Sequence, residues 1–307
     1  MNRNLTSLPS AGPSGEVALS VAYLAPENPE GIVVFVHGMA EHKERYFPVM
    51  TYLAEMGYAA VAYDQRGHGA TAASAEERGY FGKHGPEALV EDLLHVVLWA
   101  KGQWPEAKLF LFGHSLGTLV IRNLMKQHDD LMDGVVLGGS PSIDPLNSYG
   151  IFLTRVVQLF KGSRYRSRKV AMAIFKGHEK KYGSEGMHNA WLCSNRAVVQ
   201  AFNNDPLCGF KFTVSGYRAL LQLFARTYSE KGWKVSKPEL PVHFASGGND
   251  AAMRSLKEFS KSVECLRRVG YRHITTKVYP GMRHEILNEL RKEEVWADLA
   301  SMLRSWL

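Results

Sequence analysis

"FLFGHSLGTLV", residues 110–120, runs from one apolar segment through Gly113, Ser115 and Gly117 into a second. The first, with Leu109 completing "LFLF", is continuous enough to be a strand buried on both faces. The second, residues 116–127, has the spacing of an amphipathic helix. A serine at such a junction sits in a strained backbone turn, and side chains at the two glycines would collide with the neighbouring strand and helix. The helix also aims its free N–H groups and positive dipole end toward the serine. With 28 glycines in the chain, the same five residues fit a plain tight turn. Their surroundings must decide whether Ser115 is a nucleophile.

Outward from this stretch, short β-branched runs alternate with longer amphipathic ones. "IVVFVH" at 32–37, "AAVAY" at 59–63, "LFLF" at 109–112 and "VVLG" at 135–138 are expected strands. Residues 45–56, 86–101 and 116–127 are expected helices between them. This alternation predicts an α/β fold with a mostly parallel sheet covered by helices on both faces. After Ser140 the rhythm breaks for about a hundred residues that hold helix-like pieces at 151–160 and 217–228 and no clear buried strand. It resumes with "PVHFASGG" at 241, a helix from about 252 to 269, "ITTKVYPG" at 274 and a last helix from about 289 to 307. A core of 1–141 and 239–307 is therefore expected, with 142–238 inserted into it.

Composition narrows the function classes. The chain has 307 residues, 45% hydrophobic and 22% charged, which suits a globular protein with a sizeable core. Three cysteines without zinc-type spacing, no apolar leader and no run long enough to span a membrane suggest a cytoplasmic protein with reduced thiols. The net charge of +7 raises nucleic acid as a partner. Sixteen of the 37 Lys and Arg residues, but only six of the 30 Asp and Glu, lie in 142–240, so the basic excess belongs to the insertion and nucleic acid is not expected as a partner. No HExxH, Walker lysine or strand-linked GxGxxG occurs, so no metal, nucleotide or other cofactor is expected.

A serine hydroxyl needs a base to remove its proton and a carboxylate to orient that base. Both should follow later strands. "SGGND" puts Asp250 just past one strand and "YPGMRHE" puts His284 just past the next, in the order Ser, Asp, His. Asp144 in "GGSPSIDP" also follows a strand and stays open as the acid. Glu264 falls within a helix, and His273 falls at the wrong end of its strand. An oxyanion hole needs two donors. The N–H of Leu116 is one, and "VFVHGMAEH" offers that of Met39, after His37 and Gly38. "DQRGHG" from Asp64 tempts with Arg66 and His68 but reads better as a glycine turn. Glu41 and His42 are candidates for orienting the Met39 loop, for touching substrate, or for a salt bridge.

Together "HGMAEHKERY" from His37, "AYDQRGHGAT" from Ala62, "GHSLG" from Gly113, "SGGND" from Ser246 and "YPGMRHEILNE" from Tyr279 resemble the monoacylglycerol lipase and lysophospholipase branch of the α/β-hydrolase superfamily, of serine aminopeptidase S33 type. The resemblance implies an α/β-hydrolase fold with a helical cap formed by the insertion. It implies Ser115 as nucleophile, Asp250 as acid, His284 as base, Met39 and Leu116 as oxyanion donors, and a carboxylic ester of monoacylglycerol or lysophospholipid as substrate. The chain departs from the pattern at Ala40, where the branch usually has glycine, and at Ala251 and Ala252 after the acid. Acyl transfer, or hydrolysis of an amide or thioester, would use the same residues. Trp191, Leu192, Phe202, Phe210, Phe212, Phe224 and Tyr228 are candidates for an acyl pocket or for the insertion's own core. "KGSRYRSRK" at 161–169 is expected to be a solvated basic face, with contact to an anionic membrane as the alternative.

Overall fold

The computed structural model describes residues 3–12 and 15–307. One eight-stranded sheet runs through it: β1 (Asn4–Gly12), β2 (Gly15–Leu24), β3 (Gly31–Val36), β4 (Tyr58–Tyr63), β5 (Lys108–His114), β6 (Gly134–Gly138), β7 (Val242–Gly247) and β8 (Ile274–Tyr279), in the spatial order β1-β2-β4-β3-β5-β6-β7-β8. From β4 to β8 every pairing is parallel, whereas β1 with β2 and β2 with β4 are antiparallel. The antiparallel start had no counterpart in the sequence reading: β1 has no continuous apolar run, and "VAYLA" at 21–25, as apolar as the β4 stretch, was the available signal for β2.

All six residues of β3 and of β4 are buried, as strands covered on both faces must be. Successive side chains serve opposite layers. Val34, Val36, Val61 and Leu111 meet α2 (Gly85–Gln103), α3 (Leu116–His128) and α8 (Leu256–Val269) through Leu89, Val96, Leu119, Leu124, Val263 and Leu266. Phe35, Ala60, Phe110 and Phe112 meet α1 (Phe47–Glu55) and α9 (Lys292–Trp306) through Val49, Leu53, Trp296 and Leu303. Two apolar layers thus hold β5 in the middle of the sheet, and with it the loop at its carboxyl end.

β6 and β7 are neighbours in the sheet although about a hundred residues separate them in the chain. That intervening chain carries α4 (Asn147–Lys161), α5 (Arg168–Lys181), α6 (Arg196–Asn204) and α7 (Val214–Thr227), with no strand among the described residues. Tyr217, Leu220 and Leu223 bind α7 into the core layer of α2 and α3, and α4 packs on α7. Neither α5 nor α6 was anticipated: charged residues dilute the apolar spacing of α5, and α6 spans only nine residues. α8 begins at Leu256 and not at about 252: the Ser255 hydroxyl accepts the Glu258 N–H at 3.2 Å as its cap, and Arg254 just before it has a φ of 63° that no helix admits.

Candidate active site

Ser115 ends β5 and precedes α3 with φ 50° and ψ −113°, backbone that costs an L-residue energy. Its surroundings hold it there. The Ser115 N–H donates to Gly138 O at 3.1 Å, and Ser115 O accepts from Thr118 N–H at 3.0 Å and from the Thr118 hydroxyl at 2.7 Å. Both flanking glycines are sterically required: a Cβ on Gly117 would stand 2.0 Å from Val36 O, and one on Gly113 would stand 2.8 Å from Ile121 Cδ1.

Asp250 follows β7, and its carboxylate meets His284 Nδ1 at 2.9 and 3.0 Å, with side-chain exposures of 0% and 2%. The carboxylate also accepts the Ala252 N–H at 2.7 Å, while Ser142 takes Ala252 O and Met253 O at 3.0 and 2.8 Å. Ala251 and Ala252 pack against Trp191, Leu192 and Phe202. The acid loop is therefore held despite its departure from the family pattern. Burial works to lower the His284 pKa, but Asp250, with Glu285 and Glu41 behind it, raises it overall. Burial works to raise the Asp250 pKa, and His284 brings it below the ordinary value. Asp144 lies apart, 60% exposed and 3.6 Å from Arg254; His273 pairs with Glu239 at the surface, and Glu264 with Arg267.

The loop after β3 approaches the serine because Gly38 has no side chain: a Cβ there would lie 3.3 Å from Ser115 Cβ. The Gly38 N–H donates to Glu41 Oε1 at 2.5 Å, and Arg45 donates to Glu41 at 2.5 Å and to both Glu285 oxygens at 2.8 and 2.6 Å. Glu41 thus ties its loop to the residue beside His284. Burial would raise the Glu41 pKa, but Arg45 and the nearby histidines bring it down to about 2. His37 accepts from Gln65 N–H at Nε2 (2.9 Å) and donates from Nδ1 to Gly38 O (2.8 Å), which fixes its tautomer; burial lowers its pKa. Ala40 has a φ of 51°, where glycine is the unstrained residue.

The "DQRGHG" turn is structural. Asp64 takes the Lys43 backbone N–H and ammonium at 2.8 and 2.7 Å, and Arg66 pairs with Asp92 at 2.9 Å. His68 is buried, stacked on Phe81 and edge-on to Phe212. His42 pairs with Asp205 of the insertion at 2.8 Å. The fold also brings Cys208 beside this pair, an arrangement that chain order hid. His42, Asp205 and Cys208 offer ligand atoms within 4.8 Å of one another. Burial pushes the Cys208 thiol up, which favours its protonated form over metal ligation.

Ser115, His284, Met39 and Leu116 all border one cavity of about 650 Å³, within the range of small-molecule sites. From the insertion, Trp191, Leu192, Phe202, Phe210 and Phe224 line it, while Phe212 packs in the aromatic core and Tyr228 hydrogen-bonds Pro141 O at 2.7 Å. Ala171, Met172 and Ile174 of α5 also line it and were missed. Their i, i+3 spacing was the available signal. Burial, then the neighbouring His284, pushes the pKa of His114 down to about 4.

Among the described residues no helix is long and apolar enough to cross a membrane. Residues 27–291 match the profile of the family described as serine aminopeptidase, S33. A monoacylglycerol lipase of Mycolicibacterium smegmatis is 25% identical over 97% of this chain and 96% of its own, and phospholipase YtpA of Bacillus subtilis is 24% identical over 88% and 93%. A thermostable carboxyl esterase of Bacillus coagulans, solved with glycerol, superposes with a TM-score of 0.89 at 25% identity over 99% of both chains. With its fold and nearly its whole length matched, the chain belongs to the serine aminopeptidase S33 family of α/β-hydrolases, among lipase and esterase relatives.

Proposed function

We propose that the protein is a serine hydrolase of carboxylic esters, with Ser115 as nucleophile, His284 as base and Asp250 as acid. The observation that carries the reading is the buried Asp250–His284 pair opening on the same apolar cavity as a backbone-strained serine. Asp250 occupies Nδ1 and leaves Nε2 as the base. Nε2 takes the Ser115 proton as Oγ attacks the ester carbonyl carbon, and the carbonyl oxygen gathers charge that the N–H groups of Met39 and Leu116 stabilise. The C–O bond to the alcohol then breaks, and the alkoxide leaves with the proton from His284. Water, deprotonated by the same nitrogen, attacks the acyl-enzyme and releases the acid and free Ser115.

The proposed substrate class is supported by the apolar lining of the cavity and by relatives named for lipase and phospholipase activity. An apolar chamber suits one acyl chain of a monoacylglycerol or lysophospholipid, and the insertion serves as its cap. On α4, Tyr149, Phe152, Leu159 and Phe160 are exposed at helical spacing, with Lys161, Arg164 and Arg168 beyond them. Such a face suits transient contact with an anionic lipid surface. Turnover of a monoacylglycerol and of a lysophospholipid, with products resolved in water and in the presence of a competing alcohol, tests the reading. Release of free fatty acid supports it, and acyl transfer to the alcohol as the main product would replace hydrolysis by transfer.

A further inference from the structure

The loop that bears His284 is fastened to the insertion as well as to the core. The Glu285 N–H donates to Leu192 O at 2.7 Å, and Arg283 donates to Ala190 O at 2.6 Å and pairs with Glu185 at 2.5 Å while lying over the Tyr182 ring. The Trp191 ring covers the His284 imidazole with centroids 4.9 Å apart. Glu289, 2% exposed, joins the two segments. Its carboxylate accepts the Arg283 N–H at 2.7 Å, the Ser194 N–H at 2.9 Å and the Ser194 hydroxyl. The residues on both sides of His284, and its ring, thus touch residues 185–194, beside the core contacts of Arg45 with Glu285 and of His114 with the ring at 4.7 Å.

On this geometry, and resting on the proposed role of His284, we propose that Glu289 is a positioning residue and that residues 185–194 form a fixed brace for the base. A carboxylate that closes three hydrogen bonds from two segments sets their spacing, with Oε1 accepting both backbone N–H groups and Oε2 the Ser194 hydroxyl, so a side chain without an acceptor oxygen leaves all three donors unpaired. Small displacements of a base cost rate more than binding, since proton transfer depends on sub-ångström placement.

The test compares wild type, Glu289→Met, Ser194→Ala and the double variant on a soluble short-chain ester, with melting temperature and the rate of fluorophosphonate adduct formation at Ser115 measured in parallel. The expected result is a fall in kcat of about 10- to 100-fold for each single variant with KM within about twofold, a slowed adduct rate, and no further loss in the double variant, because both remove one junction. Folding is checked by a retained melting transition. If Glu289→Met unfolds, Ser194→Ala carries the test. Wild-type kcat in the folded single variants, or losses that multiply in the double variant, would overturn the brace. Absence of any Ser115 adduct in wild type would instead overturn the reading on which it rests.

Discussion

Asp250 reaches His284 Nδ1 with both carboxylate oxygens, at 2.9 and 3.0 Å, in a pair closed to solvent. Two loops that follow neighbouring strands, β7 and β8, bring them together, and the pairing raises the His284 pKa above its ordinary value of 6.5.

The sign of the pH dependence follows. As the proposed base, His284 must be neutral, so the acid limb of kcat/KM should lie above pH 6.5, the unperturbed value for histidine. Asp250→Asn removes the largest charge that raises this pKa, so the limb should move to lower pH while kcat falls by about 10⁴-fold. Asp144→Asn should change neither. A pH–rate profile of the three proteins checks this, and a crippled Asp144→Asn would mean the wrong carboxylate was chosen.

Ala40 holds a φ of 51° beside Met39. A left-handed conformation costs an L-residue about 1–2 kcal/mol, partly offset by the entropy glycine loses on folding. Ala40→Gly should stabilise the protein by up to about 1 kcal/mol with esterase activity retained. Equilibrium denaturation measures the change, and destabilisation would show that the Ala40 methyl packs better than its backbone suggests.

Much of the site was legible because its chemistry demands particular backbone. Gly113 and Gly117 flank Ser115 for steric reasons that the structure reproduces at 2.8 and 2.0 Å. The parallel strands stood out because burial on both faces forces continuous apolar runs. What could not be read depended on contacts distant in the chain. Phe212 and Phe210 are two residues apart and both touch His68, yet Phe212 packs on Phe81 in the core while Phe210 faces the cavity. Cys208 meets His42, and Glu289 meets Ser194, only through the fold. The edge strand β1 was missed because it lacks the apolar continuity of the inner strands.

The cavity sets a limit on acyl length. Leu220, buried on α7, lines it. Leu220→Trp should lower kcat/KM for long-chain esters by about tenfold or more, since each displaced methylene is worth about 1–3 kcal/mol. A short-chain ester should stay within about threefold of wild type. An equal loss on both would place Leu220 in folding and not in the acyl site.

Leu159 and Phe160 on α4 are 77% and 82% exposed. Inserting such side chains into a lipid interface is worth about 1.5–3 kcal/mol each. Replacing both by serine should weaken binding to anionic vesicles by more than about tenfold and leave turnover of a soluble ester unchanged. Co-sedimentation checks it, and unaltered binding would remove α4 as the contact.

The central claim is that Ser115 attacks the ester. Treatment with a fluorophosphonate followed by peptide mass spectrometry should place one adduct on Ser115, and Ser115→Ala should lose both the adduct and esterase turnover, the latter by about 10⁶-fold. An adduct on another residue, or wild-type turnover by Ser115→Ala, would contradict the account.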